Sequence, residues 1–381
     1  MNIGRWIMKK TFLFLLVIIL FAGCSENKTS LKGTDTDFQY SDTNSSVNDT
    51  PLPNNDDNSI PDEKQTDDVQ NDIENDDPDN LTHTDEETVD YDNGDIPAKI
   101  CEPGEKQCSD DEKRVYTCKD DGLEWLIEEC EKNYYCDSGS LKCEELYVIS
   151  IDDGAEFTRL LKISVVTGEG IEICKTERIN GYNSSTFTRE SILYLSRTGY
   201  IDRMDPNTCE ITEVGATGFK AVPGITSNYE NGIYGVANNN NDEGKKNKFL
   251  DIDIDTAEAT VIGDLGSDFG TTGATWCEEL KIVYSINGSD DKLYEIDRTT
   301  GTATYLVDLV DDTGAAFDFG SVGIELHPLN GEIYACSGVA KELLHIDPST
   351  GVVTKIGTGM GHEKTDCDNL GAPWKNVINK Q

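Results

Sequence analysis

Three aspartates in the C-terminal half stand where the chain could hold a cation. Asp268-Phe269-Gly270 and Asp318-Phe319-Gly320 occupy the same place in a repeating pattern, and Asp368-Asn369-Leu370-Gly371 is a looser third copy. Carboxylates converging from three loops on one mouth would offer Ca²⁺ the oxygen ligands it takes, or would grip a cationic group of a partner. Against this stands the plainer reading that each Asp ties its own loop by side chain to backbone hydrogen bonds. Ca²⁺ is the only cofactor suggested, and the metal stays unassigned. His83, His327, His345 and His362 are the only histidines, and none is paired with a Ser or Cys nucleophile. No catalytic residue is assigned. A glycosidase would need two carboxyl groups facing one cavity, and the innermost strands proposed below carry little beyond Glu325.

The cysteines point to disulfide chemistry. Cys101, Cys108, Cys118, Cys130, Cys136 and Cys143 crowd a segment too short to bury a core without staples. With no Cys-x-x-Cys pair and no His in that segment, zinc is disfavoured and three disulfides are expected, with 15 connectivities open. Five more cysteines follow, at Cys174, Cys209, Cys277, Cys336 and Cys367, so one lacks a partner inside that set. Cys336 and Cys367 are the expected pair, since both fall in loops on one side of adjoining repeats.

Composition sets the context for these groups. The chain has 73 acidic against 32 basic residues, a net charge of −41, which disfavours nucleic acid and anionic head groups as partners. Residues 25–98 hold 22 carboxylates against three lysines with scarcely an apolar pair, the composition of a disordered, self-repelling tether. Before them, Lys9-Lys10 lead into an apolar run from Phe12 to Phe21 and then Ala22-Gly23-Cys24-Ser25. That run is a signal-peptide core, far short of the ~20 residues that span a bilayer. The segment resembles the lipobox of bacterial lipoproteins, which implies a cleaved signal at 1–23 and a lipid-modified Cys24 at the head of a 24–98 tether. Ser25 after that cysteine is similar to outer-membrane lipoproteins of Gram-negative bacteria, with the periplasmic or surface face left open.

From Glu145 onward one phrase returns five times, around Leu161-Lys-Ile163, Ile201-Asp-Arg-Met204-Asp205, Leu250-Asp-Ile252-Asp253, Leu293-Tyr-Glu-Ile296-Asp297 and Leu343-Leu-His-Ile346-Asp347. Its spacing of roughly 40 to 50 residues is that of a propeller blade. The phrase predicts short alternating strands, with Asp205, Asp297 and Asp347 as turn formers that accept backbone N–H groups. The first repeat lacks an innermost strand. The segment Gly371-Ala372-Pro373-Trp374 matches Gly273-Ala274-Thr275-Trp276 and is expected to supply it. The fold class expected is therefore all-β: a five-bladed β-propeller (145–381) closed by the C-terminal strand, or six-bladed if the 238–248 stretch hides an irregular blade. It would be preceded by a six-cysteine module (99–144) and the tether.

Two resemblances extend this reading. Cys101-Glu-Pro103-Gly104, Cys108, Cys118, Asp121-Gly122, Trp125 and Cys130 resemble small cysteine-rich modules of tethered bacterial extracellular proteins, which implies a spacer or binding module. The repeats, best kept at 293–306 and 343–357, resemble extracytoplasmic propellers of the Leu-Tyr-x-Ile-Asp-x-x-Thr-Gly type, in the quinoprotein/YVTN-like superfamily. The function expected is a lipid-anchored, monomeric binding or scaffold protein of the cell envelope. Its partner would be a protein or a glycan, and a carbohydrate-active enzyme is the alternative.

Overall fold

The computed structural model describes residues 99–379 apart from 155, 178–180 and 364–366. Cys24, the signal segment, the tether and His83 lie outside the described residues. The six-cysteine segment makes a three-stranded sheet of β1 (Lys106–Cys108), β2 (Arg114–Cys118) and β3 (Trp125–Glu129), and a hairpin of β4 (Tyr134–Asp137) and β5 (Lys142–Glu145). Its disulfides join Cys101 to Cys118, Cys108 to Cys136 and Cys130 to Cys143. They substitute for a small core whose buried apolar members are Val115, Tyr135, Cys101, Cys118 and Cys136.

Five further antiparallel sheets follow. The first holds β6 (Tyr147–Asp153), β7 (Phe157–Ser164) and β8 (Gly170–Glu177). The second holds β9 (Tyr182–Phe187), β10 (Leu193–Arg197), β11 (Tyr200–Met204) and β12 (Ile211–Ala216). The third runs β13 (Gly224–Ser227), β14 (Ile233–Ala237), β15 (Lys248–Ile252), β16 (Ala259–Asp264). The fourth runs β17 (Thr272–Cys277), β18 (Ile282–Asn287), β19 (Lys292–Asp297), β20 (Ala303–Asp308). The fifth runs β21 (Val322–Leu326), β22 (Ile333–Ser337), β23 (Leu343–Ile346), β24 (Val353–Ile356). The recurring Asp is turn chemistry: Asp297 Oδ1 accepts the Thr299 and Thr300 N–H groups at 2.8 and 2.9 Å, and Asp205, Asp253 and Asp347 do the same in their turns.

The expected closed five-bladed propeller is corrected by this topology. The described residues form seven small antiparallel sheets, each open at both edges, and none closes into a barrel or propeller. The C-terminal segment is not a strand. It gives β6 a single bridge, in which Ile149 and Gly371 exchange N–H···O bonds of 2.7 and 3.1 Å. Two residues on, Pro373 has no N–H to donate, so a ladder cannot continue. Two residues back, the Asn369 side chain does the pairing: its Oδ1 accepts from Ile151 N at 2.6 Å and its Nδ2 donates to Ile151 O at 3.0 Å. The expected membrane placement gains no spanning element either, since no helix among the described residues is long and apolar enough to cross a bilayer.

Side-chain packing and inner-strand hydrogen bonds hold the sheets together. Apolar clusters lie between neighbouring sheets, as where Phe249 and Val236 meet Trp276 and Val283. Another seats Tyr135 of the six-cysteine segment against Val148, Leu161 and Tyr334. The innermost strands are bare sheet edges at buried positions, so their backbone groups need partners. Threonines supply them. Thr186 Oγ1 accepts from Ser227 N at 3.0 Å, Thr226 Oγ1 from Trp276 N at 2.8 Å, and Thr275 Oγ1 from Leu326 N at 2.6 Å. Glycine lets the strands approach this closely: a Cβ on Gly273 would lie 2.7 Å from Ile324 Cγ2, and one on Gly323 would lie 2.7 Å from Asn369 N.

The C-terminal segment is latched by the Cys336–Cys367 disulfide, across a sequence separation of 31. Replacing both cysteines by Ala should lower stability by about 3 to 4 kcal/mol, the closure entropy of a loop of that length. Urea unfolding would show this as a lower midpoint, with a steeper slope as the denatured chain, freed of its crosslink, exposes more surface. An unmoved midpoint would mean that the segment's hydrogen bonds, through Asn369, Gly371, Asn376 and Val377, hold it without the disulfide.

Candidate functional site

Where the innermost strands end, a cavity of about 390 Å³ opens, within the range of small-molecule sites. Its floor comes from the ends of four inner strands: Phe187 of β9, Thr226 and Ser227 of β13, Trp276 of β17, and Glu325 and Leu326 of β21. Its rim is Tyr229, Glu278, Glu279, the turn 328–331 and Trp374. Lys113, from the turn between β1 and β2, lines it too, so the six-cysteine segment builds part of the wall. Tyr229 and Trp374 meet edge to face at 5.1 Å, and the Arg189 guanidinium lies 3.7 Å from the Tyr229 ring centre.

Glu325 is the unusual member. It stands two residues after Gly323, the place that Thr226 and Thr275 hold after Gly224 and Gly273. Its neighbour is the C-terminal segment, where Pro373 falls at the threonine position. The side chain is 6% exposed, and Oε2 has no hydrogen-bond partner. Burial pushes its carboxyl well above the usual range, opposed only in part by the Ala372 backbone. Glu278 differs. Burial pushes it up, but Lys281 and the Trp276 indole, whose Nε1–H donates to Oε2 at 2.7 Å, outweigh that and hold it below the usual range. One cavity thus carries two carboxyl groups pushed in opposite directions, Glu325 up by burial and Glu278 down by its partners.

The three aspartates singled out from the sequence lie elsewhere. Asp268 and Asp318 precede β17 and β21, at the opposite ends of the inner strands from the cavity. Asp268 Oδ1 accepts from Asn247 Nδ2 at 2.7 Å, Asp318 Oδ1 from Gly320 N at 3.1 Å, and Asp368 Oδ1 from Asn369 Nδ2 at 3.2 Å. Among the described residues no group of three or more His, Cys, Asp or Glu is disposed to hold a metal ion. Of the histidines, His345 Nε2 meets Glu332 Oε2 at 2.6 Å; His345, with Lys132 beyond it, draws the Glu332 carboxyl down to about 2. His327 is buried, and burial lowers it to about 4. The signal for the cavity was present in the sequence: Trp276 and Trp374 share a register in matching segments, and a Glu replaces the repeated Thr.

No family model matches this chain, and no curated protein does. Among solved structures it is similar to a chain of the nidogen/laminin complex, at 9% identity over 61% of this chain and 100% of that one, with a TM-score of 0.43. It is also similar to a protein of unknown function from Bacteroides thetaiotaomicron VPI-5482 (14% identity, 68% and 76% covered, TM-score 0.42). A third is TolB from Acinetobacter baumannii (12% identity, 66% and 67% covered, TM-score 0.40). Likenesses this distant carry no argument about the present chain.

The state of Glu325 has a measurable consequence. Its folded value is raised above the unfolded value of 4.5, so its contribution to stability is fully present below about pH 4.5 and is lost as pH climbs towards the folded value. Glu325→Gln removes that dependence. Urea unfolding across a pH series should show the variant gaining on the parent as pH rises from 4 to 8, and a constant gap would mean that the carboxyl is ionised in the fold.

Proposed function

We propose that this chain is an extracytoplasmic recognition protein that takes its ligand in the cavity where the inner strands end. Glu325 carries the reading: a buried carboxyl with an unpartnered oxygen, lining an aromatic cavity, is costly unless something outside the protein completes it. Five disulfides among the described residues support an oxidising compartment.

A second reading, a carbohydrate-active enzyme, is favoured by one specific observation. Glu325 and Glu278 line the same cavity with their protonation pushed in opposite directions, the pattern of a general acid beside a carboxylate base or nucleophile.

The full chain, screened against arrayed glycans and peptides, should retain a ligand whose affinity falls about tenfold or more in Trp374→Ala. The same affinity should survive the combined Asp268→Asn, Asp318→Asn, Asp368→Asn variant. The reverse pattern would move the site to the other end of the strands. Release of reducing ends from the bound glycan, abolished separately by Glu325→Gln and Glu278→Gln, would favour the enzyme instead.

A further inference from the structure

Taking the cavity to be the ligand site, as proposed above, we infer that its ligand is a neutral saccharide residue, seated against the Trp374 indole with its hydroxyls meeting Glu325 and Ser227. The argument runs by the chemistry of the wall. An anionic ligand would face Glu278 and Glu279 on a chain of net charge −41. A cationic ligand finds its best partners already taken. Glu278 is engaged on both oxygens, by Lys281 and by the Trp276 indole. Arg189 covers the Tyr229 ring. Lys113 brings a second basic group into the same wall, while Glu279 is exposed and screened by water.

A wholly apolar ligand fails for a different reason. It would fill the space between Phe187, Leu326 and Trp374 yet leave the buried Glu325 Oε2 without a partner. What fits is a neutral molecule with an apolar face and a rim of groups that both donate and accept. A sugar ring has C–H faces for an indole and hydroxyls at its edge. Glu325, buried with no cation among its neighbours, can accept through one oxygen and donate through the other, which matches a hydroxyl in either sense. Ser227 Oγ, whose O–H donates to Asn228 O at 3.1 Å, keeps a lone pair to accept from a ligand hydroxyl, while the Asn330 amide is taken up by Asn133, Tyr334 and the Glu332 N–H.

The test uses the full chain on arrays of neutral oligosaccharides, acidic oligosaccharides and Lys- or Arg-rich peptides. Calorimetry with the best neutral oligosaccharide then follows on the parent, Trp374→Ala, Glu325→Gln and Glu325→Leu, each checked for parent-like circular dichroism. Expected are retention of neutral glycans alone, a loss of about tenfold or more in Trp374→Ala and Glu325→Leu, and affinity kept within about threefold in Glu325→Gln, whose amide is neutral and also donates and accepts. Binding of basic peptides that weakens in Trp374→Ala would overturn the saccharide and leave the cavity as the site. Neutral glycan binding untouched by Trp374→Ala and Glu325→Leu would overturn the cavity itself. No retention of any class would overturn both.

Discussion

The inner edges of the four-stranded sheets set the problem that the rest of this molecule solves. An innermost strand has half its backbone groups pointing away from its own sheet, and here those groups are buried, where an unpartnered N–H costs about 1 to 3 kcal/mol. Threonine hydroxyls answer this from strand to strand, Thr186 to β13, Thr226 to β17 and Thr275 to β21. The distance between sheets, the glycines that permit it and the alignment of the strand ends all follow from that short reach. Because the strand ends are aligned, their last side chains face one another and leave a cavity.

The series breaks at the C-terminal segment, and the break gives the cavity its chemistry. After β21 the neighbour is an irregular segment with Pro373, joined to the body by a single bridge, by the Asn369 side chain, by a disulfide and by side-chain hydrogen bonds from Ser150, Ser321, Tyr147 and Asn207. Glu325 takes the threonine's place there. A hydroxyl is satisfied by one N–H, but a carboxyl has a second oxygen, and nothing in the protein reaches it. The same segment ends in Trp374, so the least regular piece of chain supplies both the gap and the aromatic surface beside it. The six-cysteine segment is more than a spacer in this arrangement, since Tyr135 is buried in the body's core and Lys113 reaches the cavity wall.

Much of the architecture was legible. Strand alternation, Asp-x-x-Thr-Gly turns and cysteine density are local signals, each set by the φ preferences and hydrogen-bonding capacity of a few neighbouring residues. Asp297 with Thr299 and Thr300 needs no tertiary contact to form its turn. The closed propeller was an extrapolation from those signals, and it failed at Pro373, where a matched segment lacks the donor that a strand requires. The carboxylates conspicuous in sequence, Asp268, Asp318 and Asp368, bond to asparagine side chains or to a neighbouring backbone N–H. The inconspicuous one, Glu325, became the centre of the site.

By itself, then, the sequence determined the all-β class, the repeat, the turns and the disulfide-rich character, because those depend on residues close along the chain. The tertiary structure alone decided that Glu325, Trp276, Tyr229, Trp374 and Lys113 share one cavity, and that burial raises the Glu325 carboxyl there. Trp276 and Lys281, which lower Glu278, are its near neighbours in the chain, but the burial that raises Glu325 comes from segments far along it and cannot be read from residue spacing.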